Sequence, residues 1–288
     1  MKIIGIAGCG LIGGSFAKAI KSKTDCQVFA FDRDESALCR AELERAIDGR
    51  LDDAALRRCD LVLIALPPCD VVPFIEAHGA KFKRGALVID CAGVKRNICN
   101  LAWQIAQKHH FVFIGGHPMA GKERSGFERA AETLYHNASM LLAFNEIPQL
   151  NELEKIKRFF LSLGFARVVT TTPEKHDRLI AYTSQLAHAL SASFVQSPTA
   201  DEHAGYSAGS FRDMIRVSSV NPELWSDLFL DNRDYLQNEI RILIRNLASF
   251  EAALQANDRA RLVELFRQGA ERKAKIESLR TFRETKGN

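Results

Sequence analysis

Ile3-Ile4-Gly5-Ile6-Ala7-Gly8-Cys9-Gly10-Leu11-Ile12-Gly13 opens the chain with an apolar run that turns directly into three glycines spaced GxGxxG, and the helix-compatible stretch Leu11–Lys21 follows. A strand that ends in this spacing and restarts as a helix is the phosphate-binding turn of a dinucleotide fold. Gly8 permits the tight turn, Gly10 lets the backbone approach a pyrophosphate, and Gly13 lets helix and strand pack closely. The pyrophosphate would then rest on the free N–H groups of Leu11, Ile12 and Gly13 at the helix N-terminus. Asp32, just past the second strand candidate Gln27–Phe31, is at the right distance to accept hydrogen bonds from a ribose 2′-hydroxyl. A carboxylate there repels a 2′-phosphate, so the pattern favours NAD over NADP. Arg33 beside it is the guanidinium that a 2′-phosphate would use instead.

Outward from this turn the first half alternates short apolar runs with helical stretches. Lys2–Ala7, Gln27–Phe31, Leu61–Leu66, Ala86–Asp90 and Phe111–Ile114 read as strands, separated by Leu11–Lys21, Glu35–Leu43, Val71–His78 and Lys95–Lys108 as helices. Leu61–Leu66 is apolar at every position, as a central strand covered on both faces requires. A further strand, helix and strand follow at Ser139–Phe144, Leu150–Leu163 and Ala166–Thr171. After Thr172-Pro173-Glu174, a helix start with proline at its first position, only helical periodicity remains. The segments are Glu174–Gln196, Ser210–Ser218, Pro222–Leu230, Asp234–Gln255 and Arg259–Leu279. The expected fold is α/β: a Rossmann-type, doubly wound, mainly parallel sheet over residues 1–172, then an all-helical domain over 173–288.

Composition excludes several other classes. The chain has 288 residues, 47% of them hydrophobic and 26% charged, the balance of a globular protein. Its 39 basic and 35 acidic residues are interspersed, so the net charge of +4 suits small anionic ligands and gives no nucleic-acid footprint. No apolar run reaches the roughly 18 residues of a membrane span, and the first residues lack the pattern of a signal peptide, so a cytoplasmic protein is expected. All seven cysteines lie in the first hundred residues without paired CxxC spacing, which argues for reduced thiols and against a metal site.

The chemistry is expected in Gly115-Gly116-His117-Pro118-Met119-Ala120-Gly121-Lys122-Glu123-Arg124-Ser125-Gly126, read as the loop after the fifth strand. Residues past the strand C-termini line the ligand crevice of a doubly wound sheet. His117 would therefore meet both nicotinamide and substrate, and an imidazole can take a hydroxyl proton while hydride leaves the same carbon. Glu123 and Lys122 are candidates to orient or pair with groups near it. On the helix after Pro173, Asp177, Ser184, His188 and Ser191 fall within about 60° of one another at about 100° per residue, a polar stripe that a cofactor cleft would satisfy. Arg212 and Arg216 form an i,i+4 pair suited to a substrate carboxylate.

The stretch His117–Glu128 resembles the HP(I/M)AG-x-E-x-SG signature of the prephenate/arogenate dehydrogenase family. Asp90–Lys95 resembles its D-x-x-S-V-K, Thr183–His188 its TS-x-LPH, and Gly209–Arg216 with Asn221–Trp225 its GGFRD-x-TR and following (D/N)P-x-(L/M)W. Together they span both expected domains. The resemblance implies NAD-dependent oxidative decarboxylation of prephenate to 4-hydroxyphenylpyruvate in tyrosine biosynthesis, with arogenate as an alternative or additional substrate. It implies His117 as the catalytic group and Arg216 as the grip on the ring carboxylate, leaving Arg212 to an ion pair with Asp213 or a neighbour. Ser184, His188 and Glu123 complete the expected substrate residues, with Trp225 packed either near the substrate ring or in the core. Gly93 departs from the family, where a serine would contact the catalytic histidine or the substrate; Ala187 replaces a proline and should only straighten the helix. The resemblance and the apolar excess of the last two helices both point to a homodimer. Two other readings stand beside this one. One is a reductase of the β-hydroxyacid or pyrroline-carboxylate type; the other is a non-catalytic NAD-sensing module.

Overall fold

A computed structural model describes residues 1–122, 124–146 and 149–285, with side chains described as far as residue 278. The strands are β1 (Ile3–Ala7), β2 (Gln27–Phe31), β3 (Gly49–Arg50), β4 (Leu61–Ile64), β5 (Leu87–Asp90), β6 (Val112–Pro118), β7 (Ser139–Ala143) and β8 (Arg167–Thr171). They form one sheet in the order β3-β2-β1-β4-β5-β6-β7-β8. The order reverses between β1 and β4, the switch point where a doubly wound sheet opens a crevice. The GxGxxG turn leaves β1 at that point.

Six helices accompany the sheet: α1 (Leu11–Lys23), α2 (Glu35–Leu43), α3 (Asp53–Leu56), α4 (Pro68–His78), α5 (Arg96–His109) and α6 (Leu150–Ser162). Strand periodicity sorts the core into two layers. Leu61 and Leu63 face the layer containing Phe16, Tyr135 and Phe160. Val62 and Ile64 face the layer containing Phe74, Phe82 and Phe113. β3 and α3 were not expected from the sequence, because two residues and a single turn are too short for periodicity to register.

Two features of β6 differ from the sequence reading. Its residues Gly115–Pro118, expected as loop, continue the strand. Its pairing also changes hand, from parallel with β5 at Val112–Ile114 to antiparallel with β7 at Gly115–Pro118. A parallel return needs a long crossover, usually a helix. The described residues between β6 and β7 supply only a short 3₁₀ turn at Phe127–Arg129, and the chain comes back alongside. β7 and β8, separated by α6, are parallel.

Beyond β8 lie α7 (Pro173–Ile180), α8 (Leu186–Phe194), α9 (Gly209–Ile215), α10 (Pro222–Asp231), α11 (Arg233–Gln255) and α12 (Arg259–Thr285). Thr172 caps α7, its hydroxyl accepting from the Lys175 N–H at 3.2 Å. The segment expected as one regular helix is interrupted by a π turn at Ala181–Gln185. A π turn adds a residue and rotates the helix beyond it, a distortion concentrated at functional sites. The chain divides into two compact units, Met1–Leu236 and Gln237–Asn288. In the second, the Phe250 and Phe266 rings meet edge to face at 5.4 Å. Ile244, Leu247, Leu254 and Val263 there remain exposed. Among the described residues no helix is long and apolar enough to cross a membrane.

Candidate active site

The glycine turn separates three demands. Gly8 has φ +90°, and a Cβ there would meet the Ala65 carbonyl oxygen at 2.4 Å. A Cβ on Gly13 would lie 1.8 Å from the Gly8 carbonyl oxygen, so these two positions hold strand and helix together. Around Gly10 nothing lies within 4 Å of an added Cβ, and no side chain caps α1. An open approach to an uncapped helix N-terminus is an anion cradle. Leu11 is buried, and the carbonyl of half-buried Ile12 accepts the Tyr135 hydroxyl at 2.6 Å.

Asp32 accepts the Cys9 N–H at 2.5 Å and the Asp34 N–H at 2.8 Å, which ties the end of β2 to the glycine turn. With Gly10, Asp34, Ser36, Arg40 and Glu128 it lines a cavity of about 480 Å³. Arg33 lies outside that lining, 79% exposed and 3.4 Å from Asp70. The far half of the histidine stretch folds onto α1. A Cβ on Gly14 would strike the Phe127 ring at 2.6 Å. Lys18 Nζ donates to the Ala130 carbonyl at 2.9 Å, and the Ala131 N–H donates to Ser15 Oγ at 3.0 Å.

His117 is half-buried in β6, and its strand is clamped from β5. Fully buried Asp90 accepts the Gly116 N–H and the Ala92 N–H, both at 3.0 Å, and pairs with the buried Lys95 ammonium. His117 Nδ1 lies 2.9 Å from Nε2 of His176, and His176 Nδ1 lies 2.7 Å from Asp177 Oδ1. Asp177 also accepts the Lys95 N–H at 2.8 Å, the Arg96 N–H at 2.9 Å and Arg96 Nε–H at 3.3 Å. Arg96 continues to Asp234, Nη1 donating at 2.8 Å. Burial, with His176 and Lys95 alongside, holds the His117 imidazole well below its ordinary pKa. Burial lowers His176 as well, against the pull of Asp177. Burial pushes the Asp177 carboxyl up, but His176 and the Arg96 and Lys95 N–H groups outweigh it and hold the group below its usual range.

A second group of expected residues gathers on the helices after Pro173. His188 Nδ1 donates to the Val217 carbonyl at 2.8 Å, and its ring lies 3.7 Å from that of half-buried Trp225. Burial, the Arg216 charge adding to it, lowers the His188 pKa. Arg216 is exposed, and neither it nor Arg212 forms an ion pair among the described residues. The expected Arg212–Asp213 pair is absent, since adjacent helical residues point about 100° apart. Ser184 is half-buried, its hydroxyl without a partner among the described residues. Glu123 lies outside the described residues. The other three residues of the polar stripe find partners in the protein itself: Asp177 in backbone N–H groups, His188 in Val217, and Ser191 in the Met214 carbonyl at 2.6 Å.

Between the two groups, Asn232 Nδ2 donates to the Asp177 carbonyl at 2.8 Å and to Gln185 Oε1 at 2.7 Å, while Gln185 Nε2 donates to the Leu228 carbonyl at 2.9 Å. An added Cβ on Gly93 would meet Leu228 Cδ2 at 3.2 Å. Sequence reasoning assigned no role to His176, Lys95, Asn232 or Gln185. A usable signal was His176-Asp177 in the first turns after Pro173, an imidazole and a carboxylate side by side. Among the described residues no group of three or more His, Cys, Asp or Glu is arranged to hold a metal ion.

Residues 16–170 match the family model described as prephenate dehydrogenase, nucleotide-binding domain, and residues 172–268 match prephenate dehydrogenase, dimerization domain. The chain is 30% identical over 273 residues to a prephenate dehydrogenase of Bacillus subtilis, covering 91% of this chain and 72% of that protein. It is 28% identical over 276 residues to a cyclohexadienyl dehydrogenase of Zymomonas mobilis, covering 93% of each. A crystal structure of prephenate dehydrogenase from A. aeolicus, in complex with hydroxyphenyl propionate and NAD+, superposes with a TM-score of 0.81 at 25% identity, covering 96% of this chain and 98% of that one.

Proposed function

The chain belongs to the prephenate dehydrogenase family, and from that premise we propose how its residues carry the reaction. The protein catalyses the NAD-dependent oxidative decarboxylation of prephenate to 4-hydroxyphenylpyruvate, the aromatising step of tyrosine biosynthesis. Arogenate, which differs by an ammonium in place of a side-chain keto group, is a second substrate to test. The observation that carries the assignment of roles is His117: one ring nitrogen is engaged inside the protein while Nε2 takes no partner among the described residues.

The cofactor residues fit a dinucleotide. Gly10 leaves the room a pyrophosphate needs, the uncapped N-terminus of α1 offers Leu11, Ile12 and Gly13 N–H groups, and Gly8 and Gly13 keep the turn tight. Asp32 retains lone pairs for a ribose, and the carboxylates of Asp32, Asp34 and Glu128 around one cavity oppose a 2′-phosphate. Arg33 is turned to Asp70, and in that lining three carboxylates stand against the single cation Arg40. NAD, when bound, supplies the acceptor for the hydride that leaves ring C4.

His117, kept neutral by burial, accepts the proton of the C4 hydroxyl through Nε2 as the hydride departs. Loss of the C1 carboxylate as CO₂ leaves its electron pair in the ring, and His117 returns the proton to the resulting phenolate oxygen. Arg216, exposed and free of ion pairs among the described residues, grips a substrate carboxylate. Ser184, His188 and Trp225 contact the rest of the ring and side chain, and Glu123 completes this set. Residues 1–172 serve as the dinucleotide-binding domain and 173–288 as the substrate-binding and dimerisation domain, a reading supported by the family models over residues 16–170 and 172–268. A homodimer would cover the exposed Ile244, Leu247 and Leu254. A cytoplasmic setting, where NAD is at hand, suits the reaction.

The test is NADH formation by the purified chain with prephenate and with arogenate, each with NAD and NADP, alongside His117→Asn. Turnover of prephenate with NAD, and a fall of roughly 10²–10⁴-fold in kcat for His117→Asn at unchanged NAD affinity, is expected. Near-wild-type turnover by His117→Asn would remove the base assignment. NAD binding without turnover of either acid would leave the sensing module as the better reading.

A further inference from the structure

We propose that His176 and Asp177 are the positioning pair of the active-site histidine, fixing the tautomer and the ring of His117 in place of the serine that position 93 lacks. The inference rests on the reading of His117 as the base.

The hydrogen-bond geometry leaves one consistent arrangement of protons. Both oxygens of Asp177 face donors, the Lys95 N–H on one side and the Arg96 N–H and Nε–H on the other. A protonated carboxyl would set its own hydrogen against them, so Asp177 is ionised. His176 Nδ1, 2.7 Å from a carboxylate oxygen, must then carry a proton, because two acceptors cannot bond. In the neutral imidazole this leaves a lone pair on His176 Nε2, and His117 Nδ1, 2.9 Å away, must be the donor. His117 Nε2 is thereby left as the acceptor. A second proton on His176 would reverse the direction and put hydrogen on His117 Nε2, where it could not accept from a hydroxyl. The burial of both rings and the nearby Lys95 ammonium oppose that state.

The pair is anchored from elements far apart in sequence. The start of α5 holds the Asp177 side chain, and Asn232 holds its carbonyl. The charged groups around the two imidazoles are Asp90 and Lys95 from the region of β5, Arg96 from α5 and Asp177 from α7, with Asp234 behind Arg96. Position 93 offers no polar side chain, and an added Cβ there would meet Leu228. The reasoning is that of the Ser-His-Asp triad, where a buried carboxylate selects the tautomer of the working imidazole and its amide replacement leaves the wrong one.

Three measurements on the full-length chain decide it. Nitrogen-15 spectra of the imidazoles at neutral pH, with His117 assigned through His117→Asn, should show His117 protonated at Nδ1. His176→Leu, which keeps bulk but removes the acceptor, should lower kcat roughly 10²–10⁴-fold, with KM and NAD affinity within about twofold. Its acid limb of kcat/KM should shift, because the ring facing His117 Nδ1, and with it the link to the Asp177 carboxylate, is gone. His176→Gln, whose amide oxygen can accept from His117 Nδ1–H, should recover at least about tenfold of the lost kcat. A role in packing alone would leave the pH profile in place and rank leucine no worse than glutamine. A His117 proton on Nε2, or a His176→Leu enzyme with wild-type kcat and pH profile, overturns the proposal. If the leucine variant fails to bind NAD, the wild-type tautomer decides. Turnover surviving in His117→Asn would instead overturn the base reading on which the inference rests.

Discussion

Gly10→Ala and Gly13→Ala add the same methyl group three residues apart, and the structure predicts opposite consequences. The new Cβ at position 13 would stand 1.8 Å from the Gly8 carbonyl oxygen. An ordinary contact is about 3.3–3.6 Å, so backbone must separate by roughly 1.5 Å in a turn that no flexible side chain can relieve. Overpacking of this kind costs about 1–3 kcal/mol or more. For a unit of this size that lowers Tm by roughly 3–10 °C. At position 10 the Cβ meets nothing within 4 Å, and φ is −77°, ordinary for alanine. Stability should change by less than about 0.5 kcal/mol. The methyl instead occupies the approach of the pyrophosphate, and about 1–3 kcal/mol there weakens NAD roughly 5–150-fold. Thermal unfolding followed by circular dichroism and NAD titration by calorimetry separate the two effects. Wild-type NAD affinity in Gly10→Ala, or a wild-type melt in Gly13→Ala, would show that the turn does not work in this way.

Other perturbations test other parts. Arg216→Ala should raise the apparent KM for prephenate at least about tenfold with little effect on NAD affinity, as expected for a charged hydrogen bond of about 1.5–3 kcal/mol; an unchanged KM would move the anchor to Arg212. Asp60 is held down to about 2 by Lys83, against the upward push of burial and helped by the Lys2 and Ile3 N–H groups. Because the folded carboxyl is the stronger acid, its stabilisation is whole above about pH 4 and is lost as pH falls through about 2. Asp60→Asn should therefore cost about 1–2 kcal/mol at pH 7 and only a small part of that at pH 2, so an equal difference from the wild type at both pH values would contradict the ion pair. Leu247→Asp should turn a dimer into monomers in light scattering if the exposed apolar surface of the second unit is the interface, and an unchanged mass would exclude that surface.

The first half of the fold was legible because its signals are local. β1, the glycine turn and α1 are contiguous, and the all-apolar run at Leu61–Ile64 reports burial on both faces without reference to any other segment. Gly8, Gly10, Gly13 and Asp32 could be named for the same reason. The Gly115–Pro118 stretch was misjudged because glycine and proline signal a turn, whereas here β7 returns beside them and extends the strand. The helix of residues 174–196 shows regular periodicity, yet the partners that Asn232 and Leu228 offer Gln185 accompany a π turn that no local propensity announces.

The sequence by itself determined the α/β architecture, the nucleotide turn and the presence of a histidine and arginines suited to the chemistry, since each depends on residue types at short spacing. Only tertiary structure decided what surrounds that histidine. His117 and His176 are 59 residues apart, and Lys95 and Asp177 are 82 apart. A hydrogen bond between such groups requires the sheet, α5 and α7 to converge within about 3 Å, and spacing along the chain carries no trace of that convergence.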